Sequence, residues 1–318
     1  MKKPKPIYVE TEIDADMDAL WRHTQSPELH EQWDLRFSEI AYLPQPPGAR
    51  VQEFRYLTRI GFGLCIAGTG RSAAARETRD GMRMSVLRFG SDEPLSLIRS
   101  GAGYWRYVPL PDGRIRFATR YDYVTRFGPA GRLFDRAAFR PLFGWATAWS
   151  FDALRLWLER GKAPAASLRQ ALAHLAGVFG LALCWLYEGL VPKLLGPASG
   201  ELAMLRAAGW FPAREASAIW TLGAAELLMA AAIVRWHRLT WIYAAQAALL
   251  VLLTAAGATA GPELLSEPFG PLPLAAAMLA LGAVAAWTAK DLPSAARCRR
   301  RPAATDEKKG RTNDGIHL

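Results

Sequence analysis

Cysteine is scarce in this 318-residue chain: Cys65, Cys184 and Cys298 lie far apart and form no C-x-x-C pair. That excludes a disulfide framework and a zinc ribbon. The first residues, MKKPKPIYVETEID, have basic side chains but no apolar run behind them, so they do not read as a cleaved signal peptide. No nucleophile elbow, no His-x-x-x-His pair and no phosphate-binding loop is present. The glycines of GFGLCIAGTG at 61–70 do not open a helix in G-x-G-x-x-G spacing, which argues against a dinucleotide site. His23 and His30 are seven residues apart and separated by Ser26-Pro27, so they do not share one helical face. Catalytic signals are therefore weak, and the chain reads more as a binder than as an enzyme.

Charge is also missing, but only from one half. Up to about Lys162 the sequence is rich in Arg, aromatics, Gly and Pro. Beyond Gln170 formal charges nearly vanish: Glu188 is the single one between Ala171 and Pro192, and Glu226 the single one between Ala216 and Val234. Between Leu239 and Ala289 there are only Glu263 and Glu267, both in a Pro/Gly-rich loop. Four Leu/Ala-rich segments, 171–192, 216–235, 240–259 and 271–289, approach or reach the roughly 20 apolar residues that cross a bilayer as a helix. The net charge of +10 then needs no nucleic acid, because much of the basic excess lies where a membrane protein places it.

Lys and Arg set the expected orientation. Arg155, Arg160, Lys162 and Arg169 precede the first span. Arg235 and Arg238 lie between spans two and three, and Lys290, Arg297 and Arg299–Arg301 follow span four. Four spans put all three clusters on one side. A multi-pass protein of the bacterial-type cytoplasmic (inner) membrane, both termini cytoplasmic, is expected. The loop SGELAMLRAAGWFPARE on the other side predicts a short interfacial helix through Leu202, Leu205, Trp210 and Phe211. The tail, 291–318, reads as disordered, basic and cytoplasmic.

Within the spans, the stretch LCWLYEGLVPKLLG at 183–196 carries a carboxylate, a proline and a lysine. Glu188 is expected near the outer end of span one, with Lys193 about a turn beyond it, snorkelling to the interface. Glu226 sits mid-span, where an ionisable side chain must face the bundle and find a partner. Glu188, Lys193, Glu226 and Gln246 of span three form a candidate intramembrane polar cluster, either a structural pin between helices or a proton- or ligand-linked site.

The order and spacing of WLYEGLVPKLL at 185–195, GAAELL at 223–228 and GPELLSEPFGP at 261–271 resemble the DoxX-like family of four-helix membrane proteins. Some relatives are subunits of quinone-reducing complexes, so the resemblance implies a quinone as candidate cofactor and a membrane redox partner. It implies no established catalytic residue.

The N-terminal half begins with an alternating strand: Ile7, Val9 and Ile13 on one face, Tyr8, Glu10, Glu12 and Asp14 on the other. Two short helices follow, in ADMDALWRHTQ and in SPELHEQWD, the second with Pro27 in its first turn. Strands are predicted near 51–60, 62–78, 81–90, 98–110 and 113–126. The last puts Ile115, Phe117, Thr119, Tyr121 and Tyr123 on one face of an antiparallel sheet. A long helix over 131–160 closes the half, with Leu142, Trp145, Trp149 and Leu156 on the stripe expected to meet the sheet.

The motif IYVETEIDADMDALWRHTQSPELHEQWD at 7–34, with the closing aromatic helix, resembles the START-like (SRPBCC, polyketide cyclase and lipid-carrier) superfamily. That implies an α+β helix-grip fold, an antiparallel sheet around a long C-terminal helix with an apolar cavity between them. Carried over by position, Trp33, Phe54, Tyr56, Met84, Trp105, Phe117, Tyr121, Tyr123, Trp145 and Trp149 would line it; ordinary core is the other reading of the same aromatics. Asp34 and Arg36 read as a surface ion pair or as a polar handle at the cavity mouth.

The expected organisation is a cytosolic START-like domain (1–163), a linker (164–170), a membrane domain of four transmembrane helices (171–290) and a tail. The function that follows is binding of an apolar small molecule (lipid, isoprenoid or quinone-like) at the bilayer surface. The alternatives are a subunit of a quinone-linked redox complex and a membrane scaffold. No catalytic or metal-ligating residue is assigned, and no nucleic acid is expected as partner.

Overall fold

The structure, a computed structural model, describes residues 4–49, 51–78, 80–196, 200–261 and 270–302, and not the side chains of 74–77. Two compact units emerge. The first contains the residues before Leu168 together with the chain after Leu292; the second is Leu168–Leu292.

The first unit opens with β1 (Ile7–Ile13), α1 (Met17–Gln25) and α2 (Pro27–Trp33). Asp16 caps α1 by accepting from the Ala19 N–H at 2.9 Å. β2 (Glu39–Tyr42), β3 (Gln52–Gly61), β4 (Leu64–Glu77), β5 (Arg83–Gly90), β6 (Ile98–Pro109) and β7 (Ile115–Thr125) follow. All pair antiparallel in one seven-stranded sheet of order β1-β7-β6-β5-β4-β3-β2. α3 (Gly128–Phe134) passes through a wide π turn (Asp135–Phe139) into α4 (Arg140–Arg160), which packs on β1. A long C-terminal helix held by a curved antiparallel sheet is the helix-grip architecture.

The curvature has a side-chain basis. Each of four aromatics faces a glycine on the neighbouring strand: Phe54–Gly70, Tyr56–Gly68, Phe89–Gly101 and Tyr121–Gly103. A Cβ on Gly68 or Gly70 would come within 2.2 Å of the Tyr56 or Phe54 ring. The Phe54, Tyr56 and Phe89 rings thus lie over backbone that only glycine leaves bare.

Two details depart from the sequence reading. Leu142 and Trp145 are exposed, while Thr147, Phe151 and Leu154 are buried. The expected stripe is met in part: Trp149 and Leu156 are buried, and α4 is also covered on a second side. Residues 293–302 cover that side instead of forming a disordered tail. Ser294 N–H donates to Asp152 Oδ2 at 2.7 Å, the Cys298 thiol to Ala148 O at 3.2 Å, and Arg299 exchanges backbone hydrogen bonds with Glu10 on the β1 edge, both 2.9 Å. Burial pushes the Cys298 thiol up to about 12, which makes it inert. Residues 303–318, the rest of the expected tail, lie outside the described residues, as does the loop with Glu263 and Glu267.

The second unit is helical: α5 (Pro164–Glu188) running on into a π segment (Gly189–Leu195), α6 (Gly200–Ala207), α7 (Glu215–Arg235), α8 (Thr240–Ala260) and α9 (Pro271–Thr288). Helix starts at Pro164, so the stretch expected as a linker is helical. Four of the helices are long and apolar enough to cross a membrane. Their shared core includes Leu181, Trp185, Ile233, Tyr243 and Met278.

Candidate functional site

A cavity of about 530 Å³ opens in the N-terminal unit between the concave sheet face and α2, α3 and α4. Alternation along the strands decides which residues reach it. β3 contributes Phe54, Tyr56 and Thr58; β5 contributes Ser85, Leu87 and Phe89; Trp105, Thr119 and Tyr121 come from β6 and β7. Leu142, Phe143 and Ala146 of α4 form the opposite wall.

Of the aromatics picked out from sequence, Phe54, Tyr56, Trp105 and Tyr121 come together here. Three others are solid core. Phe117 is stacked between Tyr107 and Phe151, at centroid distances of 5.0 and 4.4 Å. Trp33 is 1% exposed and donates its indole N–H to His23 O at 2.9 Å. Trp149 is buried away from the cavity lining. Met84 is one residue out of register with cavity-facing Ser85, so it takes the other sheet face. Tyr123 donates to Asp135 Oδ1 at 2.6 Å, with Arg140 over its ring at 4.3 Å, and pins the π turn instead. Trp145 points to solvent at 44% exposure.

Asp34 and Arg36 are not a surface pair. Arg36 Nε and Nη2 donate to Asp34 Oδ1 and Oδ2 at 2.8 and 2.5 Å, and the carboxylate is fully buried. His30 Nε2 stands 3.1 Å from the same Oδ2. The guanidinium lies 5.4–5.7 Å from the ring centres of Phe37, Tyr121 and Phe143 and lines the cavity. Burial alone would raise the Asp34 carboxyl, yet the Arg36 charge and its hydrogen bonds hold it well below the usual range. The same partnership, opposed by burial, raises Arg36. At the α1 side of the cavity, Thr24 and Tyr107 share a hydroxyl hydrogen bond of 2.7 Å, and Ser85 donates to Gln25 Oε1 at 3.3 Å. Desolvation pushes the Tyr56 hydroxyl up to about 12, so it stays neutral and donates to Gly90 O at 3.1 Å. This lining can orient a ligand by hydrogen bonds around an apolar body. Among the described residues no group of three or more His, Cys, Asp and Glu could hold a metal ion.

The membrane unit assembles part of the polar cluster. Gly189 and Gly223 let two backbones touch: a Cβ on either would meet the other's carbonyl oxygen at 2.7–2.8 Å. That contact, with the π turn that Pro192 lies in, swings Lys193 inward. Lys193 is 3% exposed and does not snorkel; its Nζ lies 3.0 Å from both Glu226 Oε2 and Glu201 Oε1. Glu188 contributes its backbone carbonyl, 3.2 Å from Nζ. Gln246 goes elsewhere: it accepts from the Trp185 indole at 3.3 Å and packs on Gly282.

A second polar contact was not anticipated. His174, fully buried, donates from Nδ1 to Ala285 O at 3.0 Å, and its Nε2 lies 2.9 Å from His237 Nδ1. Because a carbonyl only accepts, His174 Nε2 is the acceptor and His237 Nδ1 the donor when both rings are neutral. A histidine four positions into an apolar span was the available signal.

Comparison with known proteins found the following similarities. The DoxX-like family matches residues 182–283. The membrane protein YndG of Bacillus subtilis (strain 168), itself uncharacterised, is 48% identical over 207 residues, which is 64% of this chain and 77% of YndG. Among solved structures, the Zhui aromatase/cyclase from Streptomyces sp. R1128 is 14% identical and covers 50% of this chain and 98% of its own, with a TM-score of 0.37. A START superfamily protein from Mycobacterium smegmatis is also 14% identical, covering 50% and 100%, with a TM-score of 0.36. Four apolar helices, the family match and the identity with YndG lead to one conclusion: the chain is a membrane protein and belongs to the DoxX-like family.

Proposed function

We propose that the N-terminal unit binds one apolar small molecule (a lipid, an isoprenoid or a quinone-like compound) and that the membrane unit keeps that binding at the bilayer surface. The observation that carries the reading is the 530 Å³ cavity with aromatic walls and one buried, paired guanidinium. Its size falls in the range of small-molecule sites, and a mostly apolar lining with a few fixed polar groups is what such sites have. Arg36 spends Nε and Nη2 on Asp34 and also bonds the Tyr121 hydroxyl, and this fixed polar edge of the cavity suits an acceptor such as a carbonyl on the ligand. The paired Asp34 offsets the charge, which favours a weakly polar head over a bare anion.

We further place the N-terminal unit and both termini on the cytoplasmic side of a bacterial-type inner membrane. The Lys and Arg around Lys162 and Arg169, at Arg235 and Arg238, and at Lys290 support this orientation.

Titrating the purified full-length chain with a fluorescent apolar probe, 1-N-phenylnaphthylamine, tests the binding. Saturable binding that is lost in Ala146→Trp, where the indole fills the cavity, is the expected result. Equal binding by both proteins overturns the reading.

A further inference from the structure

The cavity wall of the N-terminal unit carries a group that ligand binding alone does not use. His30, on α2, lines the cavity together with Arg36, and its side chain is 13% exposed. Its Nε2 lies 3.1 Å from Asp34 Oδ2, on a carboxylate with no exposed surface. Arg36 keeps that carboxylate ionised, and an ionised carboxylate only accepts. Nε2 therefore carries the proton of the neutral imidazole, and Nδ1 keeps its lone pair. Three rings fix the orientation: Trp33, Phe37 and Trp105 stand 5.0, 5.3 and 4.9 Å from the imidazole centre.

Nδ1 is where His30 departs from a packed core histidine. His174 uses both ring nitrogens, one on Ala285 O and one on His237. His30 Nδ1 has no hydrogen-bond partner among the described residues, and it is not sealed from contact as a buried unpaired atom would be. Its lone pair is open, on a ring that lines the cavity. Arg36 Nη2 donates to the same Asp34 Oδ2, so the imidazole and the guanidinium stand within about 6 Å of each other. A base and a fixed positive charge at that separation match a carbonyl and the carbon next to it. The oxygen meets the field of the cation, and the C–H two bonds away meets the base.

We infer that this cavity is also an active site, one that moves a proton on an apolar carbonyl compound, with His30 as general base and Asp34 as its positioning residue. This rests on the binding of an apolar molecule proposed above for the same cavity. His30 Nδ1 takes the proton from the carbon beside the carbonyl. The C–H electron pair becomes the C=C bond of an enolate, and the C=O π pair moves onto the oxygen, which faces Arg36. Asp34 stabilises the imidazolium that forms. The proton then returns to the same carbon, or to the far end of a conjugated system, which shifts a double bond. Nothing is oxidised, and no co-reactant is consumed.

The probe is 2-tetralone, a bicyclic apolar ketone, given to the full-length chain in deuterated buffer and followed by mass spectrometry. Saturable deuterium uptake beside the carbonyl, faster than in buffer alone, is expected. His30→Gln keeps an N–H for Asp34 but supplies no base, and should lower kcat about tenfold or more with KM within about twofold. Asp34→Glu keeps a carboxylate for Arg36 but moves it off Nε2. It should lower kcat severalfold, again with little change in KM, a split that lost folding or lost binding would not give. Ala146→Trp, which fills the cavity, should abolish uptake. Titration with 1-N-phenylnaphthylamine runs alongside, and His30→Gln should bind it as the wild type does. A wild type that binds the naphthylamine but exchanges tetralone no faster than buffer overturns the catalysis and leaves the binding. Equal kcat in wild type and His30→Gln overturns it as well. A wild type that neither binds the naphthylamine nor speeds exchange overturns both.

Discussion

Arg36 in the N-terminal unit and Lys193 in the membrane unit are both buried cations facing carboxylates, and they solve the same problem differently. Arg36 meets one partner, Asp34, through two parallel bonds, and the partner sits only two residues away. The planar fork closes on itself, so the pair is a finished object that presents one edge to the cavity. Lys193 is a point charge shared among Glu201, Glu226 and the Glu188 carbonyl, drawn from three separate segments. Its charge is divided between two carboxylates. A closed pair is built from one short stretch of chain; a shared ammonium ties three segments together.

The comparison is sharpest in mutants that remove one carboxylate. Asp34→Asn strands a buried guanidinium with no second carboxylate partner and should cost the N-terminal unit about 3–5 kcal/mol, measured by denaturant unfolding. Because Asp34 titrates below the ordinary carboxylate range, its contribution is complete above roughly pH 4 and is lost as pH falls further. Acid unfolding of the wild type should therefore contain a component that Asp34→Asn lacks. Glu226→Leu leaves Lys193 with Glu201 and should cost less, about 1.5–3 kcal/mol, with Glu226→Gln milder still. Equal costs for Asp34→Asn and Glu226→Leu would break the distinction.

Smaller effects probe the frames around each pair. Gly70→Val puts a side chain where the Phe54 ring lies and should cost about 1–3 kcal/mol while pushing that ring into the cavity, seen as weakened probe binding. Arg297→Ala should change stability by about 0.5 kcal/mol or less, because its side chain is 63% exposed and stands 3.8 Å from Asp152. A large loss there would mean that the docked 293–302 segment depends on charge rather than on its backbone hydrogen bonds.

Much of the fold was legible in the sequence because it follows local periodicity. The alternation from Ile115 to Tyr123 announces β7, and the charge-free runs announce four spans. β2 escaped notice since EIAY has only Ile40 buried. The cavity was half legible: Phe54, Tyr56, Trp105 and Tyr121 lie on the concave face, while Met84 misses it by one register position. No local rule separates Phe117, crushed between two rings, from Tyr121, which faces space, because that depends on where α4 crosses. The burial of Arg36 depends on Tyr121 and Phe143, about a hundred residues away in the chain. Lys193 turns inward because Gly189 finds Gly223, a pairing across two helices. The ordered 293–302 segment was hidden by its own composition: its contacts with Asp152 and Glu10 use backbone groups, which every sequence has.

The most direct test of the central claim is mass spectrometry of the organic extract from the full-length chain, purified after expression in cells, beside the Ala146→Trp variant. One apolar compound at about one per chain in the wild type, and none of it in the variant, is the predicted result. A folded wild type with no such compound, or the same compound in equal amount from both proteins, would contradict the N-terminal cavity as a ligand site.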